Sequence, residues 1–196
     1  MRGDRNVFRN VSFSLEAGTF LQLTGPNGSG KTSLLRILCK LLPAAAGEIR
    51  WNGEDIHSLG EDYFTAVTYL GLKHGVKDEL TAIENVLISS GVSGIQLEEE
   101  EAAAALQKLG LRDRQHLQTR LLSEGQRRRV ALARLAVSQA KLWLLDEVTT
   151  SLDKDSISSV RSLIENHLAG GGIAIVATHQ DLQLTTDKTQ RLELAT

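Results

Sequence analysis

The stretch LTGPNGSGKTSLLRIL, residues 23–38, joins a short apolar run to a helical pattern through a loop rich in glycine. It contains the pattern G-x-x-x-x-G-K-[ST], in which the defining positions are Gly25, Gly30, Lys31 and Thr32. Glycine lets a chain wrap tightly, so that backbone N–H groups converge on an anion. The helix that follows points its unpaired N–H groups at the same place. The stretch therefore predicts a phosphate-binding loop between a strand and a helix.

The residue types in this loop predict a triphosphate as the ligand. The Lys31 ammonium adds charge near the β- and γ-phosphates, and the Thr32 hydroxyl suits Mg²⁺. A chance glycine turn is the alternative, but the preceding strand pattern and the following helix pattern disfavour it. We expect the whole loop to line the site: Gly25, Pro26, Asn27, Gly28, Ser29, Gly30, Lys31, Thr32 and Ser33. The loop alone names no function, because kinases, GTPases, helicases and transporters share it.

The composition limits the class of protein. The 196 residues suffice for one domain, or for one domain with an inserted lobe. The formal net charge of −2 argues against a dedicated nucleic-acid binder. Cys39 is the single cysteine, which excludes an internal disulfide, fits a reducing compartment and predicts a buried packing role. No secretory signal is visible and no apolar run approaches the roughly 18–20 residues of a membrane span, so we expect any membrane connection to go through a partner.

Hydrophobic patterning predicts an α/β fold with a mainly parallel sheet. Strand patterns occupy residues 7–15, 20–24, 47–56 with a turn at Asn52-Gly53, 66–72, 141–147 and 173–179. Helix patterns occupy residues 31–42, 97–111, 124–140 and 155–172. Strands alternate with helices except between about residues 75 and 140, where the pattern is helical. We therefore expect a single domain over residues 1–196, with a helical subdomain inserted at about 75–140.

Two acidic residues end the apolar strand pattern LWLLDE, residues 142–147. A carboxylate at the end of a buried strand can reach a metal ion held by Thr32, and we assign Asp146 to Mg²⁺. Glu147 would polarise the attacking water, either as a general base or by orienting it. The alternative is that these acids only cap the next segment, which the phosphate-binding loop disfavours.

A second candidate anion site lies in LLSEGQRRR, residues 121–129. Ser123 and Gly125 stand just before a long helix pattern, which makes another helix N-terminus suited to an anion. A nucleotide site within one chain rarely needs two helix N-termini from distant segments. In a dimer both are needed, because the second helix N-terminus of each copy can close the nucleotide site of the other. For the arginines we favour a solvated helix face over nucleic-acid binding.

With these residues in view, the sequence resembles the ATP-binding subunits of ABC transporters. The motifs GPNGSGKT, LSEGQ, LWLLDE, SLD and ATHQ occur in that family's order and spacing. The resemblance implies a P-loop NTPase core with a small antiparallel β-subdomain and an inserted helical subdomain. It also implies that Ser123, Gly125 and Gln126 form the signature loop, that Asp153 lines a dimer seam and that His179 contacts the γ-phosphate.

The resemblance further implies an ATP hydrolase, with Lys31, Glu147 and His179 as catalytic residues and with ATP and Mg²⁺ as cofactors. The expected assembly is a homodimer or a paired ATPase subunit. Three stretches, residues 68–86, 126–147 and 171–182, resemble the branch that serves cytochrome c maturation. That branch implies heme-exporter membrane subunits docking near residues 72–86, a peripheral location on the cytoplasmic face of the inner membrane, and no direct binding of heme or nucleic acid by this chain.

The sequence also departs from the family pattern. Lys73 stands where the family has a Mg²⁺-binding glutamine, and lysine has no acceptor for a metal. Val148 replaces the proline that usually follows the catalytic glutamate, and Glu124 replaces a small residue. The pattern lacks the family's first strand and Arg2 falls near the adenine-stacking aromatic position, which is expected of a fragment or of a late start codon. The alternative functions are a non-transport ABC ATPase and an ATP-responsive scaffold with weak hydrolysis; a small-molecule kinase would leave LSEGQ unexplained.

Overall fold

A five-stranded sheet lies in the first of two compact units in the computed structural model, which describes residues 8–150 and 152–194. The strands are β1 Phe20–Thr24, β2 Arg50–Trp51, β3 Glu54–Asp55, β4 Val67–Leu70, β5 Leu142–Asp146, β6 Ile173–Ala177 and β7 Thr189–Glu193. The helices are α1 Lys31–Leu38, α2 Glu61–Ala66, α3 Ala82–Val92, α4 Glu99–Lys108, α5 Glu124–Ala136 and α6 Lys154–Ala169. Short 3₁₀ turns span Arg112–Arg114 and Thr119–Leu121.

The strand order of the large sheet is β4-β5-β6-β1-β7, and β5, β6, β1 and β7 run parallel. Ile175 of β6 pairs with Leu21 of β1 on one side and with Leu144 of β5 on the other. Strands β5 and β6 are buried along their whole length, as their continuous apolar runs predict. Because parallel strands end at the same edge, the loops after β1, β5 and β6 are brought together there. The predicted α/β fold with a mainly parallel sheet is confirmed.

The first unit comprises, among the described residues, 8–69, 140–147 and 164–194. Its core joins the inner faces of the strands to helix α1 and consists of Leu21, Leu23, Leu34, Leu35, Leu38, Cys39, Leu142, Leu144, Ile173, Ile175, Ala177 and Leu194. Cys39 is buried in this cluster, as expected, and burial raises the pKa of its thiol.

The second unit comprises residues 70–139, 148–150 and 152–163. Helices α3, α4 and α5 pack against one another in it. Helix α3 begins with a capping box in which Thr81 and Glu84 bond to each other's backbone N–H groups. Helix α4 carries three glutamates in its first turn, and Gly110 follows its end in the left-handed region.

Strands β2 and β3 form a separate two-stranded antiparallel sheet. Arg50 of β2 pairs with Asp55 of β3, and Trp51 pairs with Glu54. Asn52 and Gly53 between them have φ values of +52° and +87°. Two successive left-handed residues define the tight hairpin turn that an Asn-Gly pair favours, so the predicted turn is confirmed.

The strand predicted over residues 7–15 is wrong for the part that the structure describes. Residues 8–15 form no strand, although Val11, Phe13 and Leu15 are partly buried against the core and the residues between them are exposed. The alternation therefore reports which side chains face the core. A strand also needs a hydrogen-bonded neighbour, and none of the described strands pairs with this segment. Val7 and Arg2 lie outside the described residues.

Several other boundaries differ from the prediction. Helix α1 ends at Leu38 rather than at residue 42, because Lys40 takes a left-handed conformation and the N–H groups of Leu41 and Leu42 turn back to the carbonyl of Arg36. Three elements, α2, α3 and β7, were not predicted as such. Among the helices of the described residues, none combines the length and the apolar character needed to cross a bilayer.

Candidate nucleotide-binding site

The phosphate-binding loop connects β1 to α1 as predicted. Gly30 takes a left-handed conformation at the start of α1, and no side chain caps the first turn of that helix. The first turn also carries no acidic residue. The helix therefore presents free N–H groups and a positive dipole end with no built-in anion.

Lys31 lies inside the curve of this loop. Its side chain is buried, and its Nζ donates hydrogen bonds to the carbonyls of Gly25 at 2.7 Å and Pro26 at 3.1 Å. The carbonyls of the loop thereby fix the position of the Lys31 side chain within the loop. Pro26, Asn27 and Gly28 at the tip of the loop are exposed.

Gly25 is required by a close approach of the backbone. Its φ is +139°, and a Cβ there would lie 2.5 Å from the carbonyl oxygen of Leu194 and 2.7 Å from Ser29 Oγ. Ser29 is fully buried, and its hydroxyl has no hydrogen-bond partner among the described residues. Gly28 differs, because a Cβ there would meet nothing within 4 Å. The end of β7, which the sequence did not predict, thus explains the first glycine of the motif.

Asp146 lies at the end of β5, where the strand pattern placed it. It is buried, and Thr32 Oγ1 donates a hydrogen bond of 2.8 Å to its Oδ2. Thr32 itself is half-buried in the first turn of α1, next to a half-buried Ser33. Two oxygen-bearing side chains from distant segments therefore meet beside the phosphate-binding loop.

Glu147, the next residue, has a left-handed backbone with φ of +53°. Its N–H donates to the carbonyl of Ala177 at the end of β6. Its Oε1 lies 3.7 Å from Nε2 of His179, and that nitrogen lies 3.1 Å from Asn27 Oδ1. The structure therefore gathers the carboxylate, the histidine and the loop tip in the first unit. The sequence predicted the first two as neighbours of a phosphate, but it gave no sign of the contact to Asn27.

The signature residues belong to the second unit. Ser123 Oγ accepts a hydrogen bond from the N–H of Gln126, and Gln126 Oε1 accepts one from the N–H of Ser123. This capping box starts helix α5, and Gly125 lies in its first turn. The S-x-x-Q spacing could have indicated the box. Asp153 is exposed, and hydrogen bonds from the side chain and from the backbone N–H of Ser156, at the start of α6, lower the pKa of its carboxyl.

The interpretation of the three arginines as a solvated helix face is wrong. Arg127 bonds to Glu124 at 3.0 Å and lies 3.9 Å from Asp78. Arg128 is buried, and Arg129 donates to the carbonyl of Leu109. Each of the three guanidinium groups donates to a carboxylate or a carbonyl of the second unit.

Solved structures of similar proteins have the same fold. An ABC transporter ATP-binding protein from Pyrococcus furiosus superposes with a TM-score of 0.85 at 26% identity, covering 97% of this chain and 92% of the other. A dimeric post-hydrolysis structure of the ATP-binding cassette MJ0796 with ADP and Pi gives a TM-score of 0.79 at 24% identity, covering 89% and 80%. The fold is therefore that of an ATP-binding cassette.

Sequence comparison agrees and is more specific. Residues 8–150 match the ABC transporter family. The cytochrome c biogenesis ATP-binding export protein CcmA of Nitrosospira multiformis is 54% identical over 99% of this chain and 94% of its own length. CcmA of Nitrosomonas europaea is 50% identical over 100% and 92%. The chain belongs to the ABC transporter family and, within it, to the CcmA group. It is accordingly an ATP-binding protein of the ABC ATPase class, as the resemblance implied.

Proposed function

We propose that this chain hydrolyses ATP between two ATPase subunits and thereby powers a membrane transport complex in heme handling for cytochrome c maturation. The observation that carries the ATPase chemistry is the convergence of Lys31, Thr32, Asp146, Glu147 and His179 at one edge of the sheet. The role in cytochrome c maturation is supported by the names of the CcmA relatives, which are cytochrome c biogenesis ATP-binding export proteins.

In the proposed reaction, charge builds up on the γ-phosphoryl group as water attacks in line. Lys31 and the N-terminus of α1 stabilise that charge. Glu147 accepts or orients a proton of the attacking water. His179 donates from Nε2 to the γ-phosphate, which requires it to exchange its contact with Asn27 for the ligand.

Mg²⁺ would be held by Thr32 and Asp146. The two side chains fit this ion, because their oxygens already lie side by side and Mg²⁺ prefers oxygen ligands. When bound, the ion supplies positive charge to the phosphate oxygens. The remaining residues of the loop, from Gly25 to Ser33, would enclose the phosphates.

The proposal of a dimer rests on the N-terminus of helix α5, the second helix end suited to bind an anion. The N-terminus of α5, led by Ser123 with Gly125 and Gln126, would close the nucleotide site of the other copy, with Asp153 at the seam. The dimeric cassette structure MJ0796 supports this arrangement by similarity of fold. ATP would join the two copies and hydrolysis would release them, which gives the complex two states.

The remaining parts of the proposal concern organisation and place. We infer a single ATP-binding domain in which about residues 75–140 form an inserted helical subdomain. Heme-exporter membrane subunits would dock near residues 72–86, and the chain would lie peripherally on the cytoplasmic face of the inner membrane. Heme would be handled by those membrane subunits rather than by this chain.

A phosphate-release assay on the purified chain tests the chemistry, with Glu147→Gln as the control. We expect the variant to lose activity by about 10²-fold or more while it still binds ATP. Equal rates in the two proteins would contradict the role of Glu147. For the dimer, Ser123→Cys and Gly28→Cys in one Cys39→Ser chain should form intermolecular disulfides with ATP in the Glu147→Gln background, and each single cysteine variant is the matched control.

An ATP-responsive scaffold with weak hydrolysis is a second candidate. Lys73 favours it, since this exposed residue stands at the position of a metal-binding glutamine and offers no lone pair. The same phosphate-release assay distinguishes the two functions. A scaffold would dimerise with ATP at an unchanged level of phosphate release, whether or not Glu147 is replaced.

A further inference from the structure

We propose that Arg128 is a positioning residue that fixes the backbone following the catalytic carboxylate and links it to the loop after β4. The inference rests on the proposed ATPase function and adds a residue to it. Arg128 lies in the second turn of α5, five positions after Ser123 in the chain.

The contacts of Arg128 join three segments of the second unit. Its side chain is buried at 4% exposure. Its Nη1 donates to the carbonyls of Gly71 at 2.9 Å and Leu72 at 3.1 Å, and its Nε donates to the carbonyl of Val148 at 3.4 Å. Helix α5, the loop after β4 and the residue that follows Glu147 therefore meet at one guanidinium.

The chemistry of arginine explains why this junction holds its parts in fixed positions. A buried cation is costly unless its N–H groups are hydrogen-bonded, so the contacts resist separation. The guanidinium is planar and directs its donors in fixed directions, which sets the carbonyls in one arrangement. A lysine at the same position would offer a single point of attachment on a flexible stem.

The backbone at Glu147 needs such support. Its left-handed conformation is unfavourable for a residue with a side chain and persists only when the surroundings determine it. On the N-terminal side, the N–H of Glu147 donates a hydrogen bond to the carbonyl of Ala177. On the other side stands Val148, which is fully buried and lacks the fixed φ of the proline that the family resemblance leads one to expect. Arg128 supplies the restraint on that side.

The same guanidinium connects Val148, the residue that follows Glu147, to the loop that carries Lys73. Gly71 and Leu72 directly precede this residue, and Arg134, six positions further along α5, donates to the carbonyls of His74 at 3.2 Å and Gly75 at 3.0 Å. Arg134 thus contacts the loop without reaching Val148 in any described hydrogen bond. A displacement of the loop would therefore act, through Arg128, on the backbone of Val148 next to Glu147. Arg134 contacts the same loop and provides a matched control.

The experiment compares Arg128→Met with Arg134→Met in the full chain, after wild-type phosphate release has been measured. We expect Arg128→Met to lower kcat by about 10-fold to 100-fold, because small misplacements of a catalytic group have effects of that size. The Kd for ATP, measured with a fluorescent analogue, should stay within about twofold, because the phosphate-binding loop is untouched. Arg134→Met should change kcat by less than about threefold.

A rescue separates positioning from folding. Val148→Pro, added to Arg128→Met, fixes φ at that residue and should restore kcat at least severalfold without changing Kd. If Arg128→Met does not fold by circular dichroism, Arg128→Lys is used in its place with the same criteria. An unchanged kcat, an equal loss in the Arg134 variant, or a loss that Val148→Pro leaves in place would overturn the proposal. An inactive wild type would instead refute the ATPase function itself.

Discussion

Thr32 Oγ1 donates a hydrogen bond of 2.8 Å to Asp146 Oδ2 across 114 positions of sequence. The first residue opens α1 and the second ends β5, so the parallel sheet sets their separation. The contact holds both oxygens beside the phosphate-binding loop. The proposed role of Thr32 as a metal ligand can therefore be tested by removing its hydroxyl.

Replacing Thr32 by valine keeps the shape of the side chain and removes its hydroxyl. We expect the Mg²⁺ concentration that gives half-maximal ATP hydrolysis to rise about tenfold, which corresponds to about 1.4 kcal/mol of binding free energy. Thr32→Ser retains the hydroxyl and is the control, with a requirement close to that of the wild type. Identical Mg²⁺ titrations for the valine and serine variants would remove Thr32 from the metal site.

The two glycines Gly25 and Gly28 should respond differently to alanine. Both have positive φ, but only at Gly25 does an added Cβ meet backbone, at 2.5 Å from the Leu194 carbonyl. We expect Gly28→Ala to lower the free energy of unfolding by about 1–3 kcal/mol through backbone strain alone. Gly25→Ala should lower it further, because β7 must also shift. Urea unfolding of both variants measures the difference. Equal losses in the free energy of unfolding would mean that β7 can shift without destabilising the fold.

The parts of this fold that could be predicted are those with one dominant physical signal. Strands β5 and β6 are buried on both faces, so nearly every residue in them is apolar. The loop before α1 is marked by glycines whose φ values no other residue adopts readily. Strand β7 gave no such signal, because most of its side chains are exposed and it pairs with β1 through its backbone.

The candidate site divides in the same way. Lys31, Thr32, Asp146 and Glu147 were predicted because their residue types and strand positions imply phosphate and metal chemistry. The three arginines of α5 were misinterpreted, since a sequence shows charge but not the carbonyls within its reach. The contact between His179 and Asn27 depends on the shape of a loop tip, which no periodic pattern encodes.

Lys73→Gln tests whether the departure from the family pattern weakens metal use. Lysine offers no lone pair while it is protonated, whereas a glutamine carbonyl can serve as a ligand. We expect the variant to reach half-maximal hydrolysis at a lower Mg²⁺ concentration than the wild type. Lys73→Met, which also lacks the charge but has no amide, is the control for charge removal. An unchanged Mg²⁺ dependence in Lys73→Gln would show that this position does not limit metal binding.

The stability of the fold should depend on pH through His167. Its ring stacks on Trp143 with a centroid distance of 3.7 Å, and its Nε2 lies 3.2 Å from the carbonyl of Ile173. Burial lowers the pKa of His167 below the ordinary value of 6.5, and burial acts in the same direction on the pKa of His74. The unfolded chain therefore binds more protons than the folded chain between the lowered pKa and 6.5. This contribution to stability is fully present above pH 6.5 and is lost as the pH falls through the folded pKa.

His167→Phe preserves a flat ring against Trp143 and removes the titrating group. We expect its free energy of unfolding at pH 8 to be lower than that of the wild type by about 0.5–1.5 kcal/mol, because the hydrogen bond to Ile173 is lost. Between pH 7.5 and 5.5 the wild type should lose more stability than the variant, so the two curves of urea-derived free energy against pH should converge on acidification. Parallel curves over that interval would mean that protonation of His167 costs the folded state nothing.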